Sequence, residues 1–287
     1  IYLVAALIGG GVGAADEIIQ WIVPRRFFAF SDIGLNLYAV SLAQVALAMG
    51  IRPAFIARRP SPKSIRWACA AAGFLVVVLA LCASNTPRAL QGYTTRFPRL
   101  AFLKETAGVM TEYGYRYEDP EIGTFFSRMT PAQLRDQDER RGAEAAAILT
   151  EYILPREYGS FLKRYTSFRD PFLHEAKVHL FRRDHYKAVA WKHVKELEDY
   201  RFHNTVAFRE NQIMEKYFGN TLRRSRYVWS PEDRAALEKE IDPSLHYTSE
   251  VSSDLLTGFT MRQMWTATLL SLVVLGAIGR YYGGRKP

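Results

Sequence analysis

The sequence predicts an all-α fold: a polytopic membrane protein with about four transmembrane helices and a helical extracytoplasmic domain inserted between the third and fourth. Three observations predict it. Apolar runs lie at residues 1–23, 33–50, 67–84 and 264–279, and a bilayer core is crossed by about 20 apolar residues as helix. Between the third and fourth runs is a long charged, aromatic stretch with helix-start signals and no convincing strand alternation. Net positive charge gathers beside the apolar runs, while this middle is nearly neutral. The expected divisions are 1–85 (three membrane helices), 86–262 (the folded domain) and 263–287 (a last membrane helix and a basic cytoplasmic tail).

The net charge of +9 is distributed unevenly. Residues 1–85 carry Arg25, Arg26, Arg52, Arg58, Arg59, Lys63 and Arg66 against Asp16, Glu17 and Asp32, a net +4. Arg280, Arg285 and Lys286 add +3 at the end, which leaves +2 for the rest. Basicity thus belongs to membrane flanks, not to the concentrated basic face that nucleic acid would require. No nucleic-acid partner is expected.

In chain order, the first span contains Gly9 and Gly13 in a GxxxG spacing. No strand precedes it, so helix–helix packing is the expectation in place of a nucleotide loop. The abrupt start inside an apolar run suggests further sequence upstream. Residues 51–66 form a basic loop broken by Pro53, Pro60 and Pro62. Trp67 and Trp265, with Tyr281 and Tyr282, suit the headgroup belts. With the 51–66 loop and the C-terminal tail placed in the cytoplasm, the 24–31 turn and residues 86–262 lie outside.

In the folded domain Thr130-Pro131 with Gln133 signals a capped helix of about twenty residues. Asp170-Pro171 starts a run reaching Gly219-Asn220, and Ser230-Pro231 starts a short helix. The mixed charges from Lys177 to Arg201 read as a solvated helix face, with an interaction surface as the sharper alternative. His174-Glu175 with His179 mimics a zinc-protease motif, but its spacing is five where four is needed. The six histidines all fall outside the spans, which argues against haem or pigment ligation in the bilayer. Cys69 and Cys82 are thirteen apart, about 20 Å along a helix, so they are not expected to pair. There is no P-loop and no GxSxG; no catalytic set, metal or cofactor is expected.

The stretch from Asp16 to Asn36 carries a polar set where charge beside lipid is costly: Glu17, Gln20, Pro24, Arg25, Arg26, Asp32 and Asn36. Glu17 and Gln20 share one helix face, as do Asp32 and Asn36. Pairing of Glu17 and Asp32 with Arg25 or Arg26 across the turn is expected. This skeleton of Glu17, Gln20, Pro24, Arg26, Asp32 and Asn36 resembles the signature of the VanZ-like membrane proteins, over about residues 1–85. It departs from that signature at Ile19, Arg25 and Ala39. The resemblance implies a module of about four spans in a bacterial cytoplasmic membrane, in a family whose named member is associated with lipoglycopeptide resistance.

The expected function is that of a non-enzymatic accessory or scaffolding subunit of a larger membrane complex, photosynthetic or respiratory, with other membrane subunits and lipids as partners. The alternative is a VanZ-like envelope protein that handles a lipid or cell-wall precursor through the polar set or confers glycopeptide-type tolerance. A metal-dependent enzyme in the outer domain is a third reading.

Overall fold

A computed structural model of the chain describes residues 2–23, 26, 28–51, 61–103 and 109–283. Among the described residues the chain is mostly helical, 72%, with eleven helices. In order these are α1 Tyr2–Ile22, α2 Phe30–Ala46, α3 Pro62–Ser84, α4 Pro87–Arg96, α5 Pro131–Glu151, α6 Tyr158–Arg164, α7 Pro171–Ala190, α8 Leu197–Tyr217, α9 Gly219–Arg224, α10 Pro231–Glu238 and α11 Met261–Gly283. Five of them begin with one device, a Ser, Thr or Asp cap followed by proline. The cap side chains of Ser61, Thr86, Thr130, Asp170 and Ser230 each accept a backbone N–H of the first turn. Proline sits where the missing N–H costs nothing.

The chain divides into two compact units, Ile1–Glu112 with Gly258–Pro287, and Tyr113–Thr257. The first contains four helices long and apolar enough to cross a membrane: Tyr2–Ile22, Phe30–Ile51, Pro62–Ser84 and Met261–Tyr282. The second of these ends in a π-helical turn, Leu47–Ile51. α1 meets α2 through its glycines. A side chain at Gly9 would collide with Val40 Cγ1 at 2.7 Å, and one at Gly10 with Leu37 Cδ1 at 2.8 Å. The close approach needs residues without side chains.

Residues 86–103 and 109–112 belong to this unit, not to the inserted domain. α4 buries Leu90 with Trp21 and Leu103. Asn85 holds both sides of the segment, accepting from Tyr93 OH at 3.0 Å and, through its carbonyl, from Met110 N at 3.2 Å. The divisions therefore fall at 112/113 and 257/258, where polarity alone suggested 85/86 and 262/263. Arg and Pro content hid the apolar stripe of α4.

The second unit departs from the all-α expectation. An antiparallel hairpin, β1 Tyr115–Asp119 and β2 Gly123–Ser127, pairs Tyr115 with Ser127 and Tyr117 with Phe125. A third extended segment joins it: Thr124 N donates to Tyr247 O, and Ser249 N donates to Thr124 O. Five-residue strands are too short to establish a two-residue period in sequence, and β2 buries neighbouring Thr124 and Phe125 together. Below the hairpin, α5, α7 and α8 close a core of Phe125, Leu134, Leu149, Phe172, Leu180, Ile213 and Phe218. Asp138 on α5 caps α9, accepting from Asn220 N, Thr221 N and Thr221 Oγ1 at 2.8–2.9 Å. The long run from Asp170 breaks once, between α7 and α8, at a 3-10 turn, Trp191–His193.

Gly123 joins the two strands with φ of 108°, and a side chain there would stand 2.3 Å from Tyr247 O. Gly123→Ala is expected to cost about 2–4 kcal/mol, since both strain and a backbone clash must be relieved. Denaturant unfolding of the full-length protein in detergent measures it; an unchanged midpoint contradicts this placement of the hairpin.

Candidate functional site

The polar set in the first unit is partly assembled. Glu17 is buried, 2% exposed, near the end of α1. Its Oε2 accepts the backbone N–H of Ala29, the residue that caps α2, at 3.0 Å. Its Oε1 accepts from Gln20 Nε2 at 3.1 Å, and the same amide donates to Asp16 Oδ2 at 2.8 Å. Glu17 thus serves as the cap that Ala29 cannot provide, with its charge against the positive end of α2. Asn36 lies against Gly13, whose side-chain position is 3.0 Å from Asn36 Cβ. Asp32 is exposed in the first turn of α2 and accepts from Ser31 Oγ. The expected pairing with Arg26 is absent among the described residues: Arg26 is exposed, and no ion pair links it to Glu17 or Asp32. Among the described residues, the backbone at the start of the second helix and the Gln20 amide satisfy the buried carboxylate. Pro24 and Arg25 lie outside the described residues.

The second unit holds the denser set of ionisable groups, and the sequence reading missed it. Lys177 and Arg183 do not lie on a solvated face. They are buried along α7 together with Glu175 and His179, and α8 contributes Glu210 and Asn211. Glu175, His179 and Arg183 repeat every four residues, which puts them on one stripe. Glu175 accepts from Ser127 Oγ at 2.6 Å and Arg128 N at 2.7 Å, just past β2. His179 Nδ1 lies 2.5 Å from Glu210 Oε2. Glu210 Oε1 accepts from Tyr247 OH at 2.5 Å and Ser249 Oγ at 2.8 Å. Arg182 Nε stands 3.1 Å away as an ion-pair partner, too oblique for a hydrogen bond. Arg183 Nη1 donates to Asn211 Oδ1 and Tyr227 O. Lys177 Nζ donates to Tyr152 O at 2.5 Å and Tyr227 OH at 2.6 Å, between the rings of Phe161 and Tyr227.

These surroundings shift the groups in opposite directions. Burial alone would raise the Glu210 carboxyl, but His179 and the hydrogen bonds from His179, Tyr247 and Ser249 hold it below its ordinary range. Burial pushes the Lys177 ammonium down to about 8, because no carboxylate touches it. Tyr247 is driven up, by burial first and by the adjacent Glu210 carboxylate second. Chemically, Glu210 is fully buried and accepts from Tyr247 and Ser249, bonds His179 and faces Arg182, all of its own chain. The arrangement therefore serves as an internal clamp between α7 and α8. His174, the other half of the protease-like motif, turns away and bonds Tyr165 O at 2.9 Å.

The α7–α8 connection is the opposite kind of surface. Trp191, Val194 and Leu197 are 70%, 53% and 58% exposed. They lie three residues apart in WKHVKEL, from the 3-10 turn Trp191–His193 to Leu197, the first residue of α8, and that spacing was the available sign of them. Beside them His193 Nδ1 lies 2.9 Å from Glu196 Oε2. Among the described residues, His193, Glu196 and Asp199 form a group able to offer a cation donor atoms within 4.8 Å of one another. The His203 ring stacks on His193 with centroids 5.1 Å apart. All are at or near the surface, and the His193–Glu196 contact accounts for the geometry as an ordinary imidazole–carboxylate contact. His193 first, and Asp199 second, hold the Glu196 carboxyl below its usual range.

No protein-family model, curated protein or solved structure matches this chain.

The Lys177 shift has a definite sign. Below about pH 8 the ammonium is charged in folded and unfolded chains alike; above it only the unfolded chain holds the proton, so stability rises with pH. Tyr227, raised to about 12 by burial, stays protonated through this window. Between pH 7.5 and 9.5 this group contributes a gain of roughly 2 kcal/mol. Lys177→Met is expected to remove that slope in denaturant unfolding, and an unchanged slope contradicts the assignment.

Proposed function

We propose that this chain is a non-enzymatic integral membrane protein that acts as an accessory or scaffolding subunit of a larger membrane complex of the respiratory or photosynthetic kind. The observation that carries the reading is the exposed apolar turn of Trp191, Val194 and Leu197 on a unit whose buried charges are otherwise satisfied internally. Exposed tryptophan and aliphatic side chains grouped on a turn are the usual anchors of protein contacts. The ionisable groups of the unit are arranged for rigidity, which suits presentation of a docking surface.

Five Lys/Arg at 51–66 and three at 280–287 favour a cytoplasmic side for both, in a bacterial cytoplasmic membrane. Residues 113–257 then stand on the extracytoplasmic face. The polar skeleton from Glu17 to Asn36 favours a VanZ-like origin for the first three membrane helices. Exposure of Arg26 and Asp32 near the start of α2 also supports the second reading, an envelope protein handling a lipid or cell-wall precursor.

Purification of the full-length protein from its native membrane in mild detergent tests both. The scaffold reading expects a defined set of co-purifying subunits, lost from Trp191→Glu/Leu197→Glu while circular dichroism stays unchanged. A wild-type protein that always runs alone contradicts it. Loss of envelope-drug tolerance in Glu17→Gln with subunit recovery intact would favour the envelope reading instead.

A further inference from the structure

The antiparallel pair α3 and α11 leaves a groove of about 430 Å³ at the end where α3 begins and α11 ends. The helices touch through small residues, with the side-chain position of Gly279 at 3.5 Å from Cys69 Cβ and that of Gly73 at 3.4 Å from Leu272 Cδ2. Ala70, Gly276 and Leu275 line the apolar floor, and a side chain at Gly276 would meet open space. The volume falls within the range of about 300–1,000 Å³ typical of small-molecule sites.

Two guanidiniums, Arg66 and Arg280, line the same groove, one from each helix. Neither helix carries an Asp or Glu, and among the described residues no carboxylate pairs with either arginine. The level of this end is marked by exposed Trp67 on α3 and by Tyr281 and Tyr282 on α11. Such aromatics settle at the headgroup layer. An apolar trough under two guanidiniums that no described carboxylate pairs with, at headgroup depth, complements one kind of occupant, a phosphate ester carrying an acyl chain.

We propose that this groove is a binding site for an anionic phospholipid. Arg66 and Arg280 clamp the headgroup phosphate, and one acyl chain lies over Ala70, Gly73 and Gly276. The site takes one layer of the bilayer as its ligand source and does not depend on which face of the membrane that layer belongs to.

Native mass spectrometry of the full-length protein in detergent tests this, with dioleoyl phosphatidylglycerol, dioleoyl phosphatidylcholine or inorganic phosphate added separately. Preferential retention of one phosphatidylglycerol is expected. Arg66→Gln/Arg280→Gln is expected to weaken it on the order of tenfold or more. Gly276→Leu fills the trough while leaving both arginines in place, and is expected to release the lipid as well. Equal retention of the two lipids, or phosphatidylglycerol binding untouched by Gly276→Leu, overturns the proposal. So does inorganic phosphate occupying the site as well as the lipid does, which would mark a free-anion site.

Discussion

Charge buried between α7 and α8 must be met by partners, and the rest of the second unit is placed where it meets it. A buried ion pair gains little over an apolar one, but an unpartnered buried charge costs about 3–5 kcal/mol. The non-helical pieces make sense on these terms. β2 ends where Ser127 and Arg128 reach Glu175. The segment carrying Tyr247 and Ser249 pairs with Thr124 of the hairpin, which brings two hydroxyls to Glu210. Residues past α5 and α9 supply Tyr152 O and Tyr227 OH to Lys177. A small sheet in a helical unit is thus explained by the donors it positions.

The first unit solves the same problem with its backbone. Glu17 sits beside an apolar helix pair, and the N–H that opens α2 satisfies it. Glycines at 9, 10 and 13 bring α1 and α2 close enough for that bond to span the turn. Where the polar groups are satisfied internally, as at Glu17 and Glu210, the chemistry is stabilising. At the Trp191 turn and in the α3–α11 groove, apolar and cationic groups are exposed, and these are the surfaces proposed above for a protein subunit and a lipid respectively.

Much of this was legible from residue order. Apolar length located all four long helices, with α3 beginning at Pro62, not at 67, because Ser61 caps it. Three of the five cap-proline starts were read directly; Ser61-Pro62 and Thr86-Pro87 carry the same signal next to proline-rich or basic residues that obscured it. The GxxxG spacing pointed to the α1 face that α2 covers. The buried charges could not be read. Lys177 and Arg183 have ordinary solvent-face neighbours in sequence, and their partners Tyr152, Tyr227 and Asn211 are 25 to 50 positions away. The hairpin failed for length, and the 85/86 division failed because α4 hides its stripe of Leu90 and Thr94 among polar residues.

A double-mutant cycle at His179 and Glu210 bears most directly on the claim that this buried lattice is structural and holds α7 to α8. His179→Gln, Glu210→Gln and the double variant would be unfolded with denaturant in the full-length protein. Each single change is expected to cost about 3 kcal/mol, with the double variant losing less than their sum by at least about 1 kcal/mol. Strictly additive losses, or a Glu210→Gln protein as stable as the parent, would contradict it.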